Sequence, residues 1–298
     1  MGKSTLLNHI LGLRLVAVSA KPQTTRNRIL GVKNTQLPDE VAAPRLVQTI
    51  FVDTPGAQPG ESALRKYMQK QTIAAAGDCD VAVVMLDVSA PSHTSPTVLT
   101  EGAVAPVWAA AQTAASARIL ALNKVDTLPD KQQLLPIIEA FGDIAEFSAI
   151  VPISAAKGSG VDQLERLVAE RLPAGPKLFP EDMITDRAER FLAAEFIREQ
   201  LFRQLGQELP YATAAEVIRF QERADRGDVV IDAEIHVERD SQKAIVIGAQ
   251  GARIKSIGER ARKVIGNLLG CQVHLRLHVR VSPNWSRGDR GIRRMGYD

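Results

Sequence analysis

Four short β-rich runs, Thr49–Val52, Val81–Val88, Arg118–Asn123 and Ile150–Ile153, alternate with longer helical stretches over the first 172 residues. Three of the four are almost continuously apolar, the pattern of strands buried on both faces of a mostly parallel sheet with helices covering it. At 298 residues the chain has room for two domains, each with its own core. A composition of 45% hydrophobic and 24% charged residues argues against a disordered or fibrous protein.

The alternation stops at Leu172–Pro180, where three prolines and a glycine in nine residues can continue neither a helix nor a central strand. Residues 173–186 are therefore expected to be a linker between a first domain, 1–172, and a second, 187–298. Arg187–Leu205 reads as a helix with Phe191, Leu192, Phe196, Leu201 and Leu205 on its packed face. In Asp228–Glu238 and Gln272–Val281 every second residue is apolar, the signature of strands with one wet face. Between them Ile254, Ile257, Ala261, Val264 and Leu268 recur at helical spacing. The second half thus reads helix, strand, strand, helix, helix, strand.

Net charge is only +3, but it is unevenly spread. From Lys243 onward twelve Lys or Arg face three acids, +9, which leaves the preceding part at about −6. A basic end on an acidic molecule fits a nucleic-acid-facing surface, with a solvated basic face as the plainer alternative. Cys79 and Cys271 have no ligand-type spacing and are expected to be reduced, packed thiols. No leader-type segment opens the chain, and the Ala-rich stretch Ala103–Leu122 is interrupted by Pro106, Gln112 and Arg118, so no membrane span and a cytoplasmic location are expected.

Gly2-Lys3-Ser4-Thr5 is the distal half of the phosphate-binding pattern GxxxxGK[ST], in which amides at a helix N-terminus take phosphate oxygens, the Lys reaches the β and γ phosphates, and the Ser ligates Mg²⁺. Alone it is weak. Asp53-Thr54-Pro55-Gly56 follows an apolar strand, placing Asp53 in the Mg²⁺ shell and the Gly56 N–H toward the γ-phosphate. Asn123-Lys124-Val125-Asp126 follows another, and the Asp126 carboxylate can accept from guanine N1–H and the 2-amino group, donors that adenine lacks. Ser154 and Ala155 end the last strand, where the Ala155 N–H can meet guanine O6. In Lys21–Asn27 a threonine hydroxyl, Thr25 in preference to Thr24, is expected to complete the metal shell when the γ-phosphate is bound. The expected catalytic set is Lys3, Thr25 and Gly56. Ala57 stands where some such enzymes carry a water-orienting glutamine, so slow intrinsic turnover is expected, raised by RNA or ribosome contact or by a group elsewhere.

In the second half Gly248-Ala249-Gln250-Gly251 lies between two helical stretches with Arg253 and Lys255 just after, in the αββααβ order of a KH domain. Such a GxxG loop admits a nucleic-acid backbone closely. Lys243, Arg253, Lys255 and Arg262, together with Arg260 and Lys263, are the expected phosphate contacts. His274 and His278 are read as part of an exposed sheet face. Trp285 and the Arg287–Arg294 cluster fit either an RNA-stacking patch or a packed terminal anchor.

The Pro-Gln-Thr-Thr-Arg segment at 22–26, DTPG at 53–56, NKVD at 123–126, SAAKG at 154–158 and the GxxG run together resemble the Era-like family of bacterial ribosome-assembly GTPases over nearly the whole chain. The resemblance implies an α/β P-loop GTPase domain, with a mixed, mostly parallel sheet, followed by an α+β type II KH domain. It implies binding of GTP and GDP with Mg²⁺, and as partners the 3′ end of small-subunit ribosomal RNA and the 30S subunit. It also implies a monomer and allows peripheral association with the inner membrane. Lys33–Leu46 and Ser89–Ser116 depart from the family pattern as insertions. So does the start, where the family pattern would place a strand and the opening of the phosphate loop before Gly2. The first strand is thus expected to be missing, with Met1 read as a GTG codon taken for a start. A non-enzymatic RNA-binding protein with an inactive GTPase half is the competing expectation.

Overall fold

The computed structural model describes residues 1–37, 45–57, 59–143 and 146–297. The chain forms two compact units: one of residues 1–13, 28–59 and 69–186, the other of residues 14–27, 60–68 and 187–298.

In the first unit β3 (Val81–Asp87), β4 (Ala117–Asn123) and β5 (Ala149–Ile153) form a parallel sheet in the order β3-β4-β5. Alternate residues of β4 pack to opposite sides, which is why its run is apolar without alternation. Ile119 and Ala121 join Leu6 and Ile10 of α1 (Lys3–Leu11) and Leu164 of α5 (Val161–Arg171). Leu120 and Leu122 join Trp108 of α3 (Ala105–Ala114) and Phe141 of α4 (Leu134–Gly142). All four strand residues are fully buried. β1 (Ile29–Leu37) and β2 (Arg45–Asp53) pair antiparallel in a separate two-stranded sheet. Of the two expected insertions, the first holds the far ends of this hairpin, with residues 38–44 outside the described residues. The second folds into two short 3₁₀ turns and α3.

The proline-rich segment expected as a linker is strapped to that hairpin. The Val32 N–H donates to the Ile184 carbonyl at 2.8 Å, and the Asn34 amide donates to the Glu181 carbonyl at 3.0 Å. Gln48 accepts from the N–H groups of Leu178 and Phe179, each at 2.9 Å. Proline removes donors from the segment, so its carbonyls and the remaining amides find partners on the strand edge instead.

The second unit follows the order read from the sequence. α6 (Glu189–Gln204) is followed by β6 (Ala214–Arg223) and β7 (Asp228–Val237), then by α7 (Asp240–Ile247), α8 (Ala252–Leu269) and β8 (Gln272–Val281), with α9 (Asp289–Arg294) after them. The sheet order is β6-β7-β8, antiparallel then parallel. Ile231, Ala233 and Ile235 of β7 are fully buried, as are Phe196 and Phe202 of α6. On α8 the buried row is Ile257, Ala261 and Ile265, so the packed face is rotated slightly from the expected one through Val264 and Leu268. α2 (Ala63–Ala76) completes the helices of the described residues. Both cysteines are free thiols. Among the described residues no helix is long and apolar enough to cross a membrane.

Candidate functional site

α1 begins directly after Gly2, whose φ of 99° is left-handed and whose position has no side-chain cap. The first-turn amides are therefore left for another acceptor, the arrangement that binds anions at helix N-termini. A Cβ on Gly2 would lie 2.7 Å from Asn123 Nδ2, so only glycine fits the turn. The residue after Gly2 is Lys3, and a Cβ built on Gly56 would stand 3.6 Å from its Nζ, which puts the ammonium beside the DTPG loop. Ser4 Oγ donates to Asp53 Oδ2 at 2.6 Å. This hydroxyl and carboxylate are hard oxygen donors of the kind Mg²⁺ takes.

Asn123, only 2% exposed at the end of β4, ties three segments together. Its Nδ2 donates to the Met1 carbonyl at 2.6 Å, and its Oδ1 accepts from the Ala155 N–H at 2.9 Å. The Ala155 amide, expected to face a base oxygen, is thus donated to Asn123 here. Ser154 is buried beside it, and its hydroxyl accepts from the Lys157 N–H at 3.1 Å. Lys124 adopts a left-handed φ of 70°, which turns the chain into a short 3₁₀ turn, Val125–Thr127, and leaves Val125 buried and Asp126 exposed. Thr5 continues α1, Thr54 and Ala57 are half-buried beside Gly56, and the Pro55 carbonyl accepts from Thr72 at 2.7 Å.

Sequence reasoning missed Asp87, which ends β3 as Asp53 ends β2 and Asn123 ends β4. It forms an ion pair with Lys124 at 2.5 Å and accepts from Ser89. Burial opposes its ionisation, but the Lys124 and Ser89 hydrogen bonds and the Lys124 charge outweigh that and hold the carboxyl below the usual aspartate range. A polar residue closing an apolar strand at the ligand-bearing edge of a parallel sheet was the available signal.

Thr24 and Thr25 lie in the second unit with the rest of residues 14–27, and both are buried. Thr24 Oγ1 donates to the Lys21 carbonyl at 2.8 Å and lies 2.6 Å from Ser19 Oγ. The segment is held by Arg14 to Glu199, by Lys21 to the Leu205 carbonyl, and by Arg203 to the Val18 carbonyl at 2.8 Å. The next residue, Arg26, is wholly buried.

In the same unit the GxxG loop turns through Gly248, Gln250 and Gly251, all with positive φ (73°, 50° and 78°). A Cβ on Gly248 would come within 2.8 Å of Arg253 Cβ. Ala249 and Gln250 are exposed, and the space around Gly251 is open, so the loop can be approached closely. Arg253, expected to contact phosphate, donates to the Ile245 carbonyl and braces the loop across the end of α7. Lys255, Arg260, Arg262 and Lys263 are exposed on α8, and Lys243 is half-buried on α7. The outer face of β8 is a cross-strand network, with His274 to Asp228 at 3.0 Å and Arg280 to Glu234 at 3.1 Å. Trp285, left open between two readings, is a packed anchor: it is 2% exposed, stacks on Tyr297, and its Nε1 donates to the Ala212 carbonyl. The arginines at 287, 290, 293 and 294 remain exposed.

A phosphate-type helix start, a Ser–Asp oxygen pair and an Asn-Lys-x-Asp turn in one unit, with a GxxG loop in the other, define a guanine-nucleotide-binding P-loop GTPase carrying a KH domain. Residues 1–124 match the family model described as 50S ribosome-binding GTPase, and residues 208–286 match that of the KH domain. The chain is 45% identical over 300 residues to GTPase Era of Geobacter metallireducens, covering 100% of this chain and 94% of that one. Among solved structures, Aquifex aeolicus Era bound to GDP and aluminium fluoride superposes with a TM-score of 0.87 at 36% identity, covering 99% of this chain and 95% of that one. Era in complex with MgGDPNP and nucleotides 1506–1542 of 16S ribosomal RNA gives a TM-score of 0.86 at 36% identity, covering 99% and 94%. The chain belongs to the Era family of GTPases.

Proposed function

We propose that this GTPase is a switch that loads GTP in its first unit and thereby changes how its KH domain holds the 3′ end of small-subunit ribosomal RNA during 30S assembly. One observation carries the reading: Lys3 beside Gly56, Ser4 bonded to Asp53, and Asn123 bonded to Met1 just ahead of them bring three separate stretches of sequence together in one unit.

The α1 amides after Gly2 and the Lys3 ammonium take the β and γ phosphates, with Thr5 in the same turn. Ser4 and Asp53 hold Mg²⁺, and Thr25 joins them when the γ-phosphate is present. Held by these residues, the ion would supply charge neutralisation for the phosphates. Thr54, Pro55 and Ala57 shape the loop that aims the Gly56 N–H at the γ-phosphate. Asp126 reads the guanine N1–H and 2-amino group, while Lys124, Val125, Ser154 and Ala155 line the base. With no carboxamide at Ala57, hydrolysis rests on charge stabilisation by Lys3 and the metal and is slow without RNA. Gly248, Ala249, Gln250 and Gly251 admit the RNA backbone, and Lys243, Arg253, Lys255 and Arg262 neutralise it. The protein acts as a monomer in the cytoplasm, with a peripheral association with the inner membrane.

Calorimetry with GTP, GDP and ATP tests the reading. Tight binding of both guanine nucleotides with ATP weaker by 10²-fold or more is expected, on the order of a site with buried donors and acceptors matched to one base. Equal affinity for ATP would refute it.

A further inference from the structure

Arg26 sits in a cage that is well built but electrostatically incomplete. Its guanidinium donates to the carbonyls of Thr213 at 2.9 Å, Pro210 at 3.2 Å and Tyr211 at 3.3 Å, and to the Tyr297 hydroxyl at 3.1 Å. The rings of Phe202 and Trp285 lie 5.5 and 5.9 Å from its Cζ. Among the described residues, no carboxylate lies within ion-pair distance of it, Glu195 offers it opposite charge only from farther off, and its Nε is buried without an acceptor. Arg198 approaches the same Phe202 ring at 5.6 Å, so a second buried cation shares the site. Glu195 answers Arg198. Carbonyl dipoles and ring faces hold Arg26 specifically, yet a buried cation with one unpaired N–H and no carboxylate in direct contact carries a large desolvation penalty. Such a contact favours one geometry by a small margin, which suits a two-state element.

The position in sequence gives that property a use. Arg26 directly follows Thr24 and Thr25, and with Arg14, Lys21 and Arg203 it ties their segment to the unit that also bears the GxxG loop. We propose that Arg26 is a latch: caged, it holds the threonine loop on the RNA-binding unit, and GTP, by drawing Thr25 to its metal, opens the cage. The inference rests on the reading of Thr25 as the γ-phosphate-dependent ligand, and it adds the device that links the nucleotide to the KH unit. GDP, which lacks the γ-phosphate, leaves the latch closed. Because the closed latch competes with GTP, weakening it tightens GTP binding and uncouples it from the cage.

Two measurements on the full chain test this. The first is the emission of Trp285 in a Trp108→Phe background, which leaves one tryptophan. The second is calorimetric affinity for GDP and for a non-hydrolysable GTP analogue, with the original tryptophans. The analogue, and not GDP, is expected to shift Trp285 emission. Arg26→Ala is expected to abolish that shift and to tighten analogue binding about fivefold or more, the lower end of ordinary coupling factors, with GDP affinity changed less than about twofold. Arg26→Lys, which keeps the charge but loses the planar fork, should fall between and decides the matter if the alanine variant does not fold. If the analogue binds and leaves Trp285 emission where GDP leaves it, or if a natively folded Arg26 variant keeps the original analogue-to-GDP ratio, the latch is wrong. Failure of the unmodified chain to bind the analogue at all would instead sink the nucleotide-switch reading on which the latch depends.

Discussion

Asn123 and Asp126 sit three residues apart, yet their substitutions should behave oppositely. Asn123 uses both ends of a buried amide, so Asn123→Ala orphans the Met1 carbonyl and the Ala155 N–H. A loss of about 1–3 kcal/mol is expected from the buried Ala155 N–H left unsatisfied, and less from the carbonyl of the exposed Met1, seen as a lowered denaturation midpoint even without nucleotide. Asp126 is exposed, so Asp126→Ala should leave that midpoint within about 0.5 kcal/mol while removing discrimination between GTP and ATP in calorimetry. Asp87 adds a pH signature. Its folded-state carboxyl titrates below the ordinary aspartate value, so its stabilising contribution is complete above about pH 4 and is lost as acid takes the pH down through the folded value. Urea unfolding of Asp87→Asn beside the parent should show a gap at pH 7 that narrows toward pH 3. A gap unchanged with pH would mean that the Lys124 pair contributes nothing to the fold. Asn123 and Asp126 were legible because their NKxD run directly follows an apolar strand. The partnership of Asp87 with Lys124 was not, since nothing in either segment specifies which neighbouring strand end it will meet.

At the scale of elements, the sequence was most informative where one periodicity dominated. β8 spans Gln272–Val281, the run of strict alternation, and β7 stops one residue short of its run. β4 was legible for the opposite reason: burial on both faces makes its run uniformly apolar. α8 shows the limit, because Ile254, Val264 and Leu268 satisfy helical spacing as well as Ile265 does, and only contact with β8 and α6 selects the buried row. Residues 14–27 carry no period at all. Their place is set by single long-range bonds such as Arg26 to Thr213, which local pattern cannot encode. The GxxG loop lies between these cases: its glycines were readable, while the bracing of the turn by Arg253 was not. Gly248→Ala forces a side chain into a left-handed residue and against Arg253 Cβ at 2.8 Å. RNA affinity, measured by fluorescence anisotropy of a labelled single strand, should fall about tenfold or more, the scale of one to two kcal/mol of loop distortion, with GDP affinity unchanged.

For the whole molecule, a net charge of +3 conceals a C-terminal region of +9, and that separation sets how RNA affinity responds to salt. If several of the exposed α8 and C-terminal cations meet phosphates, the logarithm of the binding constant should fall with the logarithm of salt at a slope of about −0.7 per contact on single strands. Lys255→Ala and Arg262→Ala should each make that slope shallower by roughly one contact. The central claim is that guanine nucleotide and RNA share one equilibrium, and its most direct measurement is a closed binding cycle. The affinity of a non-hydrolysable GTP analogue is measured with and without a 16S ribosomal RNA 3′-end oligonucleotide, and the affinity of the oligonucleotide with and without the analogue. The switch predicts that the two ratios are equal and about fivefold or larger. Two ratios of one, with both ligands bound, would contradict it.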